Sequence, residues 1–160
     1  IVSIRFSDAL CDMLDILGKE KSRDNIDTLV TALREAFHDE GILTAAVDQR
    51  LGGMKADIII LDGLRKEKEI PLVRKHNGIL VYIAADARVR YERRRQAAEK
   101  PDELGMRWDQ FIEQDNAAPH REIRSIGGTV ADATIENNGS VEEIESSVKE
   151  FLDSFHIGEK

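Results

Sequence analysis

The sequence predicts an α/β fold in which a parallel sheet is covered by helices on both faces. Short aliphatic runs typical of strands alternate along the chain with longer segments whose apolar residues recur at helical spacing. The clearest strand, over residues 56–62, has four successive aliphatic residues without alternation, which predicts burial on both faces. Because it stops at Asp62 and Gly63, we expect a carboxylate at the carboxyl edge of the sheet, where such folds bind ligands. A core strand followed by a solvated turn is the alternative.

The elements before this strand are a strand over residues 1–6 and helices over residues 9–17, 22–37 and 42–51. Ser7 or Asp8 is placed to cap the first helix, and Gly18 ends it. The second helix carries its apolar residues on one face, as an amphipathic helix does. This half of the chain therefore predicts three helices between two strands.

The elements after it are a helix over residues 66–76, a strand over 79–84, a basic helix from residue 86, a short helix from 108, a strand over 131–136 and a helix over 141–155. Pro71 makes the first of these helices start late or kink. Pro101 and Gly105 indicate a loop or flap, and residues 116–128 give no clear pattern. Three strand ends are thus expected to meet at one edge of the sheet.

The composition is that of a single globular domain over residues 1–160, because 41% hydrophobic residues in a chain of this length can bury one core. A net charge of -8 argues against a general nucleic-acid surface. No apolar run is long enough to span a membrane. Cys11 is the only cysteine, so an internal disulfide is excluded and a reducing, cytoplasmic setting fits best. The four histidines lack ligand spacing, which argues against a zinc enzyme.

The basic helix has five arginines within eight residues, at positions 88, 90, 93, 94 and 95. Arg90 and Arg94 lie one turn apart on the same face, a spacing that suits two contacts to a polyphosphate. A solvated face paired with Glu92 and Glu99 is the alternative. An Asp at one strand end and an arginine cluster after the next strand are two parts that phosphoryl transfer needs, because Asp can hold Mg²⁺ and arginines neutralise the transferring group.

Five short motifs follow one another along the chain, and none of them is specific alone. They are Phe6-Ser7-Asp8-Ala9-Leu10, Ser22-Arg23-Asp24-Asn25 with Leu33-Arg34-Glu35, Asp62-Gly63-Leu64-Arg65, Asp86-Ala87-Arg88-Val89-Arg90-Tyr91-Glu92-Arg93, and Ala131-Asp132-Ala133-Thr134-Ile135-Glu136-Asn137 with Gly139-Ser140. In this order they resemble the P-loop nucleoside and nucleotide kinases, in the dephospho-CoA kinase and adenylate-kinase-like branch, over nearly the whole chain. The resemblance implies a three-layer, P-loop-kinase-like parallel sheet, ATP and Mg²⁺ as cofactors, and phosphoryl transfer to a nucleotide or nucleotide-like small molecule.

The resemblance also implies roles for individual side chains, with acceptor-binding helices at about 7–52 and a mobile lid at about 90–117. Asp62 would lie beside the metal or the acceptor, and the lid arginines would close over the phosphates. The implied catalytic residues are Asp62, Arg90 and Arg94, the acceptor residues are Asp8, Arg23, Arg34 and Arg65, and the cofactor residues are Arg93, Asn137 and Gly139.

Plainer interpretations of several of these residues remain open. Asp8 could be a simple helix cap, Arg23 and Arg34 could be solvated helix charges, and residues 137–139 could form only a turn. At the level of the whole protein, one alternative is a P-loop-like regulatory or assembly module that has lost phosphoryl transfer. Another is an α/β binding domain whose arginine helix docks an acidic protein surface. A monomer and a homodimer are both compatible with the sequence.

The chain departs from this kinase pattern at two places. It contains no Gly-x-x-x-x-Gly-Lys-Ser/Thr loop, and Gly52-Gly53-Met54-Lys55 is no substitute because it precedes a strand and lacks the first glycine. We therefore expect the first strand and the P-loop to lie outside the residues given. Cys11 stands where such kinases often have an arginine, which leaves the contact to an acceptor phosphate undefined.

Overall fold

A computed structural model describes residues 1–97 and 105–155 of the chain. Part of the predicted lid, with Pro101, lies outside the described residues. The chain divides into two compact units, Ile1–Leu64 and Arg65–Lys160, which are described separately below. The expectation of a single domain over the whole chain stays a prediction.

The first unit has the strands and helices that the sequence predicts for it. They are β1 (Val2–Arg5), α1 (Asp8–Ile16), α2 (Arg23–Phe37), α3 (Ile42–Gly52) and β2 (Ile59–Asp62). The two strands pair in parallel, with Val2 opposite Ile59 and Arg5 opposite Asp62. Both strands therefore end at the same edge of this sheet.

Local sequence signals explain the helix boundaries in the first unit. The Ser22 hydroxyl accepts a hydrogen bond from the backbone N–H of Asn25 at 3.3 Å, which caps α2. Gly18 follows α1 with a φ of 63°, a conformation that glycine adopts without steric cost. The helices and β1 bury an aliphatic core at Ile4, Leu10, Leu14, Val30 and Val47.

The second unit contains two strands, five α-helices and one 3₁₀ helix in its described residues. They are a short 3₁₀ helix (Glu67–Glu69), α4 (Ile70–Lys75), β3 (Val81–Ala84), α5 (Ala87–Ala97), α6 (Trp108–Asp115), α7 (Ala118–Thr129), β4 (Ala133–Glu136) and α8 (Val141–Ser154). Helix α4 starts late, at Ile70 with Pro71 in its first turn, as predicted. Helix α7 occupies most of the segment that the sequence left unassigned. Strands β3 and β4 pair in parallel.

Two contacts hold the second sheet against its surroundings. The Asp132 carboxylate accepts hydrogen bonds from the backbone N–H of Leu80 at 2.7 Å and from the Arg74 guanidinium at 2.5 Å. Gly127 packs so closely on Tyr82 that a Cβ at this glycine would lie 2.4 Å from the aromatic ring. Helix α7 therefore lies directly on β3.

The prediction of one sheet with strands buried on both faces is wrong for the described residues. These residues form two separate parallel pairs, β1–β2 and β3–β4. Alternate residues of β2 are exposed, and Ile60 and Ile83 each keep 49% of their accessible surface, which is typical of a strand covered on one face. β2 and β3 each have an edge that no described strand pairs. No helix in the described part of the chain is long and apolar enough to cross a bilayer.

Candidate functional site

The carboxyl edge of the β1–β2 sheet brings three charged residues together. Arg5 ends β1 directly opposite Asp62, the last residue of β2, and Asp8 begins α1 just beyond. Gly63 follows with a φ of 87°, so the chain turns at this edge through a conformation that favours glycine. The expected carboxylate at a strand end is confirmed.

Arg5 contacts both carboxylates at this edge. Its backbone N–H donates to Oδ2 of Asp8 at 2.7 Å, and its Nε donates to Oδ2 of Asp62 at 3.2 Å. The Ser7 hydroxyl makes no capping hydrogen bond, and the Asp8 side chain accepts from the backbone N–H of Arg5, at the end of β1. The sequence interpretation missed Arg5, although a polar residue at the end of a strand beside Asp62 was a usable signal.

The two predicted acceptor residues of α2 lie far apart along that helix. Arg23 is its first residue, and its side chain lies outside the described part of the structure. Arg34 lies near the other end, roughly 16 Å further along the axis. Arg34 Nε is 3.8 Å from Oε2 of Glu40 and is a buried donor that has no hydrogen-bond partner among the described residues. A bound ligand or water would satisfy that donor.

In the second unit, Arg90 lies at the centre of a dense network. Its Nε donates to the carbonyl oxygen of Ala85 at 3.0 Å, and both of its terminal nitrogens donate to the Asp115 carboxylate. Arg124 donates to the same carboxylate and to the Asp115 carbonyl oxygen, at 3.0 and 2.9 Å. Asp115 is only 8% exposed. Two guanidinium groups therefore share one buried carboxylate that links α5, α6 and α7.

These contacts determine the charge states of Asp115 and Arg90. The hydrogen bond from Arg90 lowers the pKa of Asp115, the positive charges of Arg90, Arg124 and His120 add to this effect, and burial opposes it. The same hydrogen bond raises the pKa of Arg90. Asp115 is therefore ionised at neutral pH, and it neutralises a large part of the arginine charge around it.

Arg93 holds the turn after β4 together. One of its terminal nitrogens donates to the carbonyl and side-chain oxygens of Asn137 at 2.7 and 3.0 Å, and the other donates to the Gly139 carbonyl at 2.8 Å. The backbone N–H of Asp86 donates to Oδ1 of Asn138 at 2.7 Å. The structure thus brings together the three residues that were predicted to bind the cofactor.

Three further arginines of the second unit have varied contacts. Arg94 donates to Oε1 of Gln114 at 3.0 Å, and Arg88 pairs with Glu92 at 2.8 Å, as the solvated-face alternative predicts. The suggested pairing with Glu99 lies outside the described residues. Arg65 is exposed, and its backbone N–H donates to Oε2 of Glu69 at 2.8 Å. The arginine cluster is therefore mainly integrated into the second unit.

Within the described ranges, no three acidic, histidine or cysteine side chains converge as a metal cluster. Asp62 and Asp8 are the carboxylates that meet at the first sheet edge, through Arg5. Arg93, Asn137 and Gly139 meet at the second.

Comparison with known proteins connects the chain to a group of archaeal sequences. It is 29% identical to a UPF0200 protein of Thermococcus kodakarensis over 144 residues, which cover 85% of this chain and 75% of that protein. It is 28% identical to a UPF0200 protein of Thermococcus gammatolerans, with 88% and 75% covered. A UPF0200 protein of Methanocaldococcus jannaschii is 29% identical, with 72% and 55% covered.

These relatives are UPF0200 family proteins, and their names state no activity, substrate or partner. No family model matches the chain. The chain spans about three-quarters of the length of the two Thermococcus relatives and 55% of the Methanocaldococcus relative. An assignment to a kinase branch is therefore argued below from the residues.

Proposed function

We propose that the protein containing this chain transfers a phosphoryl group from ATP to a nucleotide or nucleotide-like small molecule. The observation that carries this proposal is the carboxyl edge of the β1–β2 sheet, where Asp62 and Asp8 meet through Arg5. Ligands of parallel α/β sheets bind beyond this edge. Phosphoryl transfer needs a carboxylate that orients a metal or an acceptor at such a place.

Asp62 is chemically suited to hold Mg²⁺ in this site. Its side chain is 54% exposed, and only Oδ2 accepts the recorded hydrogen bond from Arg5. Mg²⁺ takes one or two protein carboxylates and completes its octahedron with water and substrate phosphates, so one exposed Asp is enough. When bound, the ion neutralises charge on the donor phosphates. Asp62 orients the group it holds, and Asp8 contributes a second negative charge at the same edge.

The second unit supports a nucleotide-binding role through the turn at residues 137–139. Arg93 fixes this turn by donating to two carbonyl oxygens and one side-chain oxygen. A pre-organised turn lowers the entropy lost when a ligand binds. We assign it to the base of the nucleotide, with Arg94 and Arg65 as further contacts to phosphate and acceptor.

The residues that cradle the triphosphate belong, in this proposal, to a part of the protein outside this chain, because the chain has no P-loop motif. Two observations support this arrangement. The described strands form two separate pairs, so each strand has one edge that a further strand could join. About a quarter of the length of the Thermococcus relatives lies outside the matched region.

The test uses the full-length protein with Mg-ATP. We expect calorimetry to detect ATP binding, and a coupled assay of ADP release to detect transfer to at least one nucleoside or nucleoside monophosphate in a panel. Asp62→Asn should lower kcat by about a hundredfold or more, because a charge that acts on the transferring group is lost. Failure of the full-length protein to bind Mg-ATP would contradict the proposal.

Asp109→Asn is the matched control for Asp62→Asn. Asp109 is also an exposed carboxylate paired with one arginine, Arg107, at 2.7 Å. It lies on α6 and has no proposed role. We expect this variant to keep wild-type activity, and circular dichroism should show that both variants remain folded. Equal activity of the two variants would mean that Asp62 takes no part in phosphoryl transfer.

A specific observation favours a second candidate, a regulatory or assembly module without phosphoryl transfer. Arg90 directs its guanidinium at Ala85 and Asp115, and these contacts are structural. A lid arginine would have to release them to reach a phosphate. If the full-length protein binds ATP but transfers no phosphate to any acceptor, and Asp62→Asn leaves ATP binding unchanged, this candidate replaces the kinase.

A further inference from the structure

Arg5 is the one charged residue at the first sheet edge that contacts both predicted site carboxylates. Its backbone N–H fixes Asp8, and its Nε pairs with Asp62. Its position follows from the register of the sheet, because Arg5 and Asp62 are Cα partners at the ends of β1 and β2. A one-residue slip would move Arg5 to the opposite face, so its place beside Asp62 is built into the sheet.

The arginine retains most of its donor capacity. Among the described residues, the recorded side-chain contact of Arg5 is that of Nε with Asp62. The two terminal nitrogens, with four N–H donors between them, make no recorded contact, and the side chain is 69% exposed. The contact at Nε leaves both terminal nitrogens available to a ligand. Such a planar fork matches two oxygens of a phosphate or carboxylate group.

We propose that Arg5 is a specificity-determining residue that binds an anionic oxygen group of the acceptor, a phosphate or a carboxylate. This inference rests on the proposed function, and it narrows the acceptor class to anionic molecules such as nucleoside monophosphates. Asp62 orients Arg5 through Nε, and the terminal nitrogens hold the anion beside the Asp62 carboxylate. The repulsion between two anions is offset because Arg5 lies between them.

Anion binding is tested on the full-length protein by following the Nε–H signals of the arginines in proton–nitrogen NMR spectra. Inorganic phosphate and acetate are the two probes, titrated separately. We expect the Arg5 signal to shift in a saturable way with at least one of them. A shift with phosphate identifies a phosphate-bearing acceptor, and a shift with acetate alone identifies a carboxylate-bearing one. No saturable shift with either probe overturns the inference.

Arg107 provides the matched control for nonspecific attraction of anions. It is 74% exposed, like Arg5, but its Nε and one terminal nitrogen both donate to Asp109, at 3.0 and 2.7 Å. We expect the anion to bind at Arg5 about tenfold more tightly than at Arg107, since both terminal nitrogens of Arg5 are available for bidentate contact whereas Arg107 already holds Asp109 through two of its nitrogens. Equal affinity at the two arginines means that Arg5 is only an exposed charge, and overturns the inference.

The kinetic test separates this inference from the proposed function. For an anionic acceptor, Arg5→Ala and Arg5→Lys should each raise KM about tenfold or more and change kcat less, because a lysine supplies charge without the planar fork. For the matching uncharged nucleoside, KM should stay unchanged. If wild type transfers phosphate and Arg5→Ala leaves both KM values unchanged, the inference fails while the kinase assignment stands. If the wild-type protein transfers no phosphate to any acceptor, the NMR titration still shows whether Arg5 binds an anion.

Discussion

The two sheet edges of this protein handle charge in opposite ways. At the β1–β2 edge, Arg5 and Asp62 share one side-chain contact, and both side chains are more than half exposed. At the β3–β4 edge, Arg90 donates to Asp115 and to Ala85, and Asp115 is almost fully buried. Buried and fully paired charges fix the packing of helices, whereas exposed charges with spare donors are available to a ligand. The first edge is therefore the better candidate for chemistry, and the second for architecture.

The sharpest test of this contrast is Asp115→Asn. Removing the charge leaves Arg90 and Arg124 facing each other without a carboxylate, which should lower the free energy of unfolding by about 3 kcal/mol. Urea titration followed by circular dichroism measures the change. Asp109→Asn, which breaks an exposed pair, should cause no measurable loss. Similar losses in the two variants would mean that burial does not distinguish the pairs.

Gly127→Ala tests whether the second unit is as tightly packed as its charge network suggests. The added Cβ would lie 2.4 Å from the ring of Tyr82, so α7 or the ring must move. We expect a loss of about 1 to 3 kcal/mol, the usual range for overpacking a core.

Gly128→Ala is the control for the Gly127 substitution. No atom that would contact an added Cβ lies within 4 Å of that position, and both glycines belong to α7. Alanine loses less backbone entropy in a helix than glycine, so this variant should gain about 0.5 kcal/mol. A destabilised Gly128→Ala variant would show that the effect at Gly127 reflects the helix and not the contact with Tyr82. Thermal unfolding midpoints of both variants provide the comparison.

Local signals in the sequence were sufficient to predict most helices and strands. The last helix, for example, begins with a capping box of Ser140 and Glu143, whose hydrogen bonds are 2.7 and 3.3 Å long. Local signals did not show which elements pack or pair with each other over long range. Helix α7 was missed because glycines at 127 and 128 weaken helical propensity, and contact with Tyr82 is what favours Gly127 there. The burial of β2 was overestimated, because an aliphatic run does not reveal how many strands or helices cover it.

The site shows the same division between local and long-range information. Asp62 was predicted from the end of its own strand, and Arg93 from its helix. Arg5 was missed because its relation to Asp62 depends on the register of two strands that are 57 residues apart in sequence. The partners of Arg90 were missed for the same reason, because Asp115 and Arg124 lie on other helices. Whether these residues act in phosphoryl transfer stays a prediction.

The dependence of stability on acid pH is a smaller effect, and it also distinguishes the two edges. Because Arg90 and Arg124 lower the pKa of Asp115 below the ordinary value of 3.8 for an aspartate, the unfolded chain takes up this proton before the folded one does as the pH falls. The stabilisation by Asp115 is therefore complete well above pH 4 and is lost as the pH drops through the folded-state pKa. The stability difference between wild type and Asp115→Asn should be constant from pH 7 to 5 and shrink below about pH 4. A constant difference down to pH 3 would contradict this.

The smallest expected effect on stability is that of Asp62→Asn. Its pairing with Arg5 is exposed, so the free energy of unfolding should change by less than about 1 kcal/mol. This small change is informative because the same variant is expected to lose phosphoryl transfer. At the first edge, activity should therefore fall while stability stays nearly unchanged. At the second edge, Asp115→Asn should lower the free energy of unfolding, so any change in its ligand binding would be mixed with loss of folded protein. If Asp62→Asn proved as destabilising as Asp115→Asn, Asp62 would belong to the architecture, and the contrast between the two edges would fail.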